Sequence, residues 1–435
     1  MAVVVRLASL GNNYRTERGP GTPVRARFCK LSLVLLILLN SCTSENAGTQ
    51  ITPDAWRADL QHLARELPQH HVNAFHSVSR EIFTGEVASL DAAIPRMNSD
   101  EILVGLTRIV ALVGDGHTHL DLPPRDLRYP LEMQWFGDEL RIIAAQAPYH
   151  AAVGARVVGI GSTSIRDVMQ SATQLVPRGE NDGRTRLTAT MQLTAPAVLH
   201  GLGVIADREK APFVLELPTG ERTTMTISPA PLQDFSSWRI VSGEKPPLYL
   251  KRLAEPWWTE SLPAAQTVYF SFTAYPENAE FRERTVALAT LLDESNARRL
   301  VVDLRRNQGG DFTRFRELLL PIIKSRPAIN RAGGLFVITG PGTFSAAAVN
   351  ALDLRNEAKA ILVGAPTGMR PNHYGELGSF RLPNSGLRVS YATQYYRHGA
   401  EADSAVVPDQ HIQPTWEEFR AGRDPVMEWI LSRTN

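Results

Sequence analysis

Apolar residues recur along this chain in three rhythms, and each rhythm predicts a different kind of element. Trp56, Leu60, Leu63 and Leu67 fall on one stripe at helical spacing. Thr52-Pro53-Asp54 opens that stretch with a hydroxyl cap, a proline at the first position and an acid in the first turn. A second stripe, Leu103, Leu106, Val110 and Val113, follows Ser99-Asp100-Glu101. The two predict a small helical domain over residues 51–123. It closes on Val113-Gly-Asp-Gly-His-Thr-His-Leu120, where glycines break the helix and a strand-like segment begins. Over 125–235 short β-like runs (Leu140–Ile143, Arg156–Val158, Phe213–Leu217, Thr223–Ile227) alternate with turns, which predicts a β-rich module.

Over 245–435 the rhythm changes again. Apolar runs at Val268–Phe272, Leu300–Leu304, Leu335–Thr339 and Ile361–Val363 alternate with helical stretches at Phe312–Lys324 and Ser345–Arg355. Repeated strand–helix–strand units predict an α/β core with a mostly parallel sheet and right-handed crossovers. Phe380–Tyr391 reads as a hairpin turning at Asn384-Ser-Gly386. In a parallel sheet, ligands bind beyond the carboxyl ends of the strands. Two such ends carry chemistry. One strand runs into Arg305-Arg-Asn-Gln-Gly-Gly310, and the other into Gly340-Pro-Gly-Thr-Phe-Ser345. A serine at a strand-to-helix turn is lifted out of the sheet beside the first helical N–H groups. It can act as a nucleophile, or simply cap the helix that follows.

Composition narrows this picture. The 435 residues are 43% hydrophobic and carry a formal net charge of +1, which argues against nucleic acid as the partner. The charge is uneven. Residues 1–41 hold six basic residues against Glu17 alone, ending in the apolar run Leu31–Leu39. That run is too short for a membrane span, which needs roughly 20 residues, and it fits the apolar region of a secretory signal. It stops at Leu39-Asn-Ser-Cys42, which resembles a bacterial lipoprotein box with Cys42 as the lipidated residue. The expected products are a leader over 1–42, a lipid-anchored mature chain, a cell-envelope location and contact with membrane through that anchor only. Cys29 and Cys42 are the only cysteines, so beyond the leader no thiol nucleophile or cysteine metal site remains.

Six short motifs follow one another in order: Asp303-Leu-Arg-Arg-Asn-Gln-Gly-Gly310, Thr343-Phe-Ser-Ala-Ala347, Gly364-Ala-Pro-Thr-Gly368, Leu382-Pro-Asn-Ser-Gly386, Val407-Pro-Asp409 and Gly422-Arg-Asp-Pro-Val426. Together they resemble the C-terminal-processing and tricorn-type serine peptidases, the tail-specific protease superfamily. Gly154–Val168 resembles the centre of a PDZ domain, with a strand, a turn and a helix start. The resemblance implies a crotonase-type peptidase core, a PDZ-like module over 125–235 that would take an extended peptide by strand addition, and a helical N-terminal part. It also sorts the mechanism. C-terminal-processing members place a lysine after the Gly-x-Pro-Thr motif. Here that place reads Gly368-Met369-Arg370, and a guanidinium stays protonated and cannot serve as base. Tricorn-type members use a histidine from the helical part and a late glutamate, which His117 and Glu401 match. A serine normally precedes that histidine, and here it is Gly116.

The resemblance therefore implies a peptidase acting on peptides or protein tails. Ser345 is the nucleophile, His117 the base and Glu401 its orienting carboxylate, with Asp403 or Glu376 as alternatives for the last. Gly309, Gly310 and Ala346 would form the oxyanion hole through backbone N–H groups. No cofactor is required. Two rivals stand beside this. One is a non-catalytic protein of the same fold that binds a hydrophobic ligand or a peptide. The other is a metal hydrolase built on His117 and His119, with His70 and His71 completing the site.

Overall fold

The computed structural model describes residues 51–122, 127–231, 237–241, 246–252 and 254–433. The leader and Cys42 lie outside the described residues. So do the ends of the expected β-rich module.

The N-terminal part is helical: α1 (Pro53–His70), α2 (Arg80–Ala93) and α3 (Ser99–Ala111). The Thr52 hydroxyl caps α1 through the Ala55 N–H, and Asn98 with Glu101 forms a capping box on α3. Leu60, Leu63 and Leu67 are fully buried, so the stripe read from the sequence is the core face. A short strand β1 (His119–Leu120) leaves this part.

The middle segment is the β-rich unit. Its strands are β2 (Leu131–Phe136), β3 (Glu139–Gln146), β4 (Arg156–Ile160), β5 (Thr163–Ser164), β6 (Ala211–Glu216), β7 (Arg222–Ile227) and β8 (Trp238–Ile240). They form one seven-stranded sheet in which β8-β3-β4-β6-β7 are neighbours, β2 pairs with β3, and β5 pairs with β4. Helix α4 (Ile165–Ala172) starts where the strand–turn–helix pattern predicts, capped by Ser164. Two further helices that the sequence reading missed, α5 (Asp182–Gln192) and α6 (Pro196–Gly201), precede β6.

The C-terminal core holds β9 (Trp257–Leu262), β10 (Thr267–Phe272), α7 (Asn278–Glu294), β11 (Arg299–Asp303), β12 (Leu335–Thr339), α8 (Ala346–Ala358) and β13 (Ile361–Gly364). A long hairpin follows, β14 (His373–Arg381) and β15 (Arg388–Tyr396), and then β16 (Gln410–His411). The sheet order is β9-β10-β11-β12-β13-β16. All neighbours are parallel except the edge strand β9, so the fold is mixed α/β with the mostly parallel sheet that was expected. Every residue of β10, β11 and β12 is buried because both faces are covered. Val268, Phe270, Leu300, Val302 and Val337 pack on α7 and α8, while Tyr269, Val301, Phe336 and Ile338 pack on the helix Pro425–Leu431.

The expected boundary between the helical domain and the core is breached in one place. Strand β1 pairs antiparallel with β15, His119 opposite Ser390, so the hairpin is also the sheet of the helical part. Leu382, Leu387 and Val389 enter the core built by α1 to α3. The buried Asp59 carboxylate accepts from Asn384 N–H, its side-chain amide and Ser385 N–H. The turn Leu382–Gly386 thus plugs into α1, which links the two ends of the chain.

Candidate active site

The loops beyond β11 and β12 are locked together before any catalytic group is considered. Asp303 at the end of β11 accepts from Tyr269 and from Arg305, and Arg305 also reaches Asp424 of the last helix. One guanidinium between two carboxylates at hydrogen-bond distance holds the start of the Arg305–Gly310 loop in place. Thr343 donates to the Leu304 carbonyl, and the Phe344 N–H donates to the Asn307 carbonyl. The nucleophile turn is therefore bonded to the glycine loop.

Ser345 sits at φ 52° and ψ −130°. A positive φ at a non-glycine residue costs on the order of 1–3 kcal/mol, and such strain persists where the surroundings enforce it. Its side chain makes no capping bond to α8. Instead its Oγ lies 3.0 Å from Nε2 of His117, 228 positions away in sequence.

His117 is held by its neighbours. Asp115 Oδ1 accepts the His117 N–H, and Asp115 Oδ2 lies 2.9 Å from Nε2 of His71. The ring packs on Phe344 at 4.9 Å between centroids and faces His373 at 6.0 Å. Glu180, from the loop before α5, accepts from the Gly116 N–H with one oxygen and from the Arg370 N–H with the other. This carboxylate ties the histidine loop to the segment beyond β13. Gly116 fits closely here, since a Cβ would come within 2.7 Å of the Phe344 ring edge and 3.1 Å of Glu180 Oε1.

Burial sets the protonation state. It pulls His117 down to about 3, with His373 adding repulsion and Asp115 opposing the shift. His117 is neutral at pH 7, and when Nε2 accepts from Ser345 the proton resides on Nδ1. That Nδ1 is buried and has no hydrogen-bond partner among the described residues. A depressed value means the folded state binds fewer protons than the unfolded chain. Stability is therefore lost as pH falls from about 6.5 toward about 3. The base stays competent in weak acid. Activity at pH 5.5 is expected within twofold of that at pH 7.5, and a half-loss centred near 6.5 in the pH–rate profile would contradict this.

The glycine pair divides its labour. Gly309 has φ +104°, and a Cβ there would come within 2.5 Å of the Ser345 Cβ. Its N–H donates to Asn307 Oδ1, so it is engaged and is not a free oxyanion donor. The N–H groups of Gly310 and of Ala346, the first residue of α8, have no acceptor among the described residues. A Cβ on Gly310 would strike Tyr275 at 2.5 Å.

The expected third member is not brought to the pair. Glu401 is exposed and contacts Tyr395 Oη and Arg397 instead of His117. Glu376 bonds Tyr396, and Asp403 accepts the Ala400 N–H within its own loop. All three carboxylates have local partners, and none is hydrogen-bonded to His117 Nδ1. Met369, where lysine stands in C-terminal-processing members, is fully buried against Phe344, Ala348 and Val349. An ammonium there would be desolvated with no partner.

The metal grouping first considered is dispersed. His119 pairs with Asp121, and His70 stacks on Tyr391. Among the described residues, His71, His76 and Asp115 could converge on an ion. The hydrogen bonds oppose it. His71 Nδ1 accepts the Asn73 N–H, which leaves the proton on Nε2, the atom aimed at Asp115. A ligating Nε2 would have to give up that proton. His71 and Asp115 instead buttress the His117 loop.

Sequence reasoning missed Glu180, Asp115 and His71 as parts of this site. Asp115 was legible inside Gly-Asp-Gly-His. Glu180 lies in the polar run Gly179-Glu-Asn-Asp-Gly183, where nothing marks a carboxylate that folding will bury.

Comparisons with known proteins agree with this geometry. Residues 268–412 match the model of Peptidase family S41. No curated protein matches the sequence. Among solved structures, mature CPAF complexed with lactacystin is 12% identical, with 87% of this chain and 97% of that chain covered and a TM-score of 0.60. A CPAF point mutant is 13% identical, with 87% and 96% covered and a TM-score of 0.61. At these identities the likeness concerns the fold. The strand-end serine lies inside the segment that is similar to peptidase family S41, and the chain is a serine-type peptidase.

Proposed function

We propose that this chain is a cell-envelope peptidase that cleaves peptides or protein tails through a Ser345–His117 pair. The observation that carries the reading is the 3.0 Å contact between Ser345 Oγ and His117 Nε2 across 228 residues. In the first step Ser345 Oγ bonds to the scissile carbonyl carbon while its proton passes to His117 Nε2. The oxyanion that forms is met by the N–H groups of Gly310 and Ala346. The His117 proton then goes to the leaving amine, and water releases the acyl group by the same route. The His117 Nδ1–H is the edge a third member would occupy. The unpartnered nitrogen supports a Ser-His site whose carboxylate place is open when no substrate is bound.

A fluorophosphonate probe tests the chemistry. Wild type should gain one adduct, mapped by mass spectrometry to Ser345, and EDTA should not alter the yield. Absence of labelling under any condition, with retained binding of a hydrophobic ligand, would favour the non-catalytic reading.

The location rests on the leader. No helix among the described residues is long and apolar enough to cross a membrane. Attachment is proposed to run through lipid on Cys42. The mature protein should begin at Cys42 and partition with membranes, and Cys42→Ala should release it or block its processing. An intact mass showing an unmodified N-terminus elsewhere would refute the anchor.

A further inference from the structure

Arginines crowd the rim around the nucleophile, and most of them are neutralised. Arg305 pairs with Asp303 and Asp424, and Arg306 pairs with Glu132. Arg184, in the first turn of α5, is different. Its guanidinium lies 4.0 Å over the ring of Phe344, the residue before the nucleophile. One nitrogen, Nη1, donates to Gln308 Oε1 at 2.7 Å, next to the glycine pair. Among the described residues no carboxylate lies within 4.0 Å of it. The acid whose charge acts on it, Glu180, already accepts two backbone N–H groups, and burial raises its pKa. Arg184 is itself pulled down by burial, to about 10, which leaves it charged at neutral pH.

This is a cation held in place with no ion-pair partner at contact distance among the described residues; Glu180 acts on it only from farther away. Phe344 fixes the plane of the guanidinium and Gln308 fixes one corner. A guanidinium has five N–H donors in a rigid fork, and that fork matches a carboxylate in two-point contact. Desolvation makes such a contact stronger than the same pair in water. The stem passes beside Gly368, where a Cβ would sit 3.2 Å from Arg184 Cδ.

We infer that Arg184 is a specificity-determining residue that receives a substrate carboxylate close to the scissile bond. Two sources present that chemistry: an Asp or Glu side chain, and the free carboxylate of a peptide's C-terminus. The inference rests on the proposed peptidase reading for its site, but its test does not require turnover. Binding is measured by fluorescence anisotropy on Ser345→Ala, with three labelled peptides of one core sequence: a free C-terminal acid, its amide, and an amide carrying one Glu near the bond. At least one carboxylate peptide should bind about 10- to 100-fold more tightly than the plain amide. The preferred arm identifies the source. Adding Arg184→Gln should collapse the ratio toward one, and Arg184→Glu should invert it in favour of a lysine peptide. Because the readout is a ratio, a general weakening of the fold cancels, and a melting curve confirms that each variant is folded. Equal affinities for all three peptides, or a ratio unchanged by Arg184→Gln, would overturn the inference. Discrimination by a wild-type protein that never cleaves would uphold Arg184 as a carboxylate reader and instead overturn the peptidase mechanism.

Discussion

Replacing Ser345 or His117 by alanine is expected to lower kcat/KM by roughly 10⁴- to 10⁶-fold, with the double change costing little more than either alone. The reason is that the two groups perform one proton transfer. Once the hydroxyl is gone, a base opposite it has nothing to activate. Without the base, the hydroxyl stays a weak nucleophile. The contact is 3.0 Å and both side chains are held, Ser345 by its strained turn and His117 by Asp115 and the Phe344 ring. Peptide turnover, probe labelling and melting temperature measured together separate lost chemistry from lost fold. Additive losses in the double variant would mean that the residues act in different steps. Full turnover by Ser345→Ala would end the serine mechanism.

The second large effect is expected from one methyl group. Gly309→Ala should reduce kcat/KM by at least about 10²-fold, comparable to removing an oxyanion donor. A Cβ there would meet Ser345 Cβ at 2.5 Å, the Phe344 carbonyl at 2.9 Å and the Ala346 nitrogen at 3.0 Å, and the φ of +104° disfavours any side chain. These atoms are backbone or short side chain and cannot swing aside. Either the glycine loop or the Ser345 turn has to shift, which displaces the Gly310 and Ala346 donors relative to the nucleophile. The check is a steady-state assay beside a folded control such as Gly333→Ala, where φ is also positive but nothing lies within 4 Å. Activity within twofold of wild type for Gly309→Ala would show that the loop does not template the site.

The core and the pair were legible because each left a periodic or compositional trace. Parallel strands covered on both faces are continuous apolar runs, as in Leu335–Thr339, and their ends announce the rim. His117 was legible as the histidine of a glycine-broken turn. What the sequence concealed was mostly relational. Nothing in the polar stretch after Gly179 distinguishes a solvated glutamate from Glu180, which is buried by two segments more than sixty positions away in either direction. The surroundings of Glu401 were concealed for the converse reason. Motif order placed it near the site, but Tyr395 and Arg397 satisfy it on the surface. The helical part looked self-contained because its own stripes account for helix packing. The stretch that completes it, Leu382–Val389, lies far downstream.

That completion bears on when the molecule becomes dangerous to its host. During synthesis the base emerges early and the nucleophile more than two hundred residues later. Even then the platform carrying His117 is missing a wall until Leu382, Leu387 and Val389 arrive and β1 finds its partner in β15. A chain that ends before the hairpin therefore lacks one wall of the platform that carries His117.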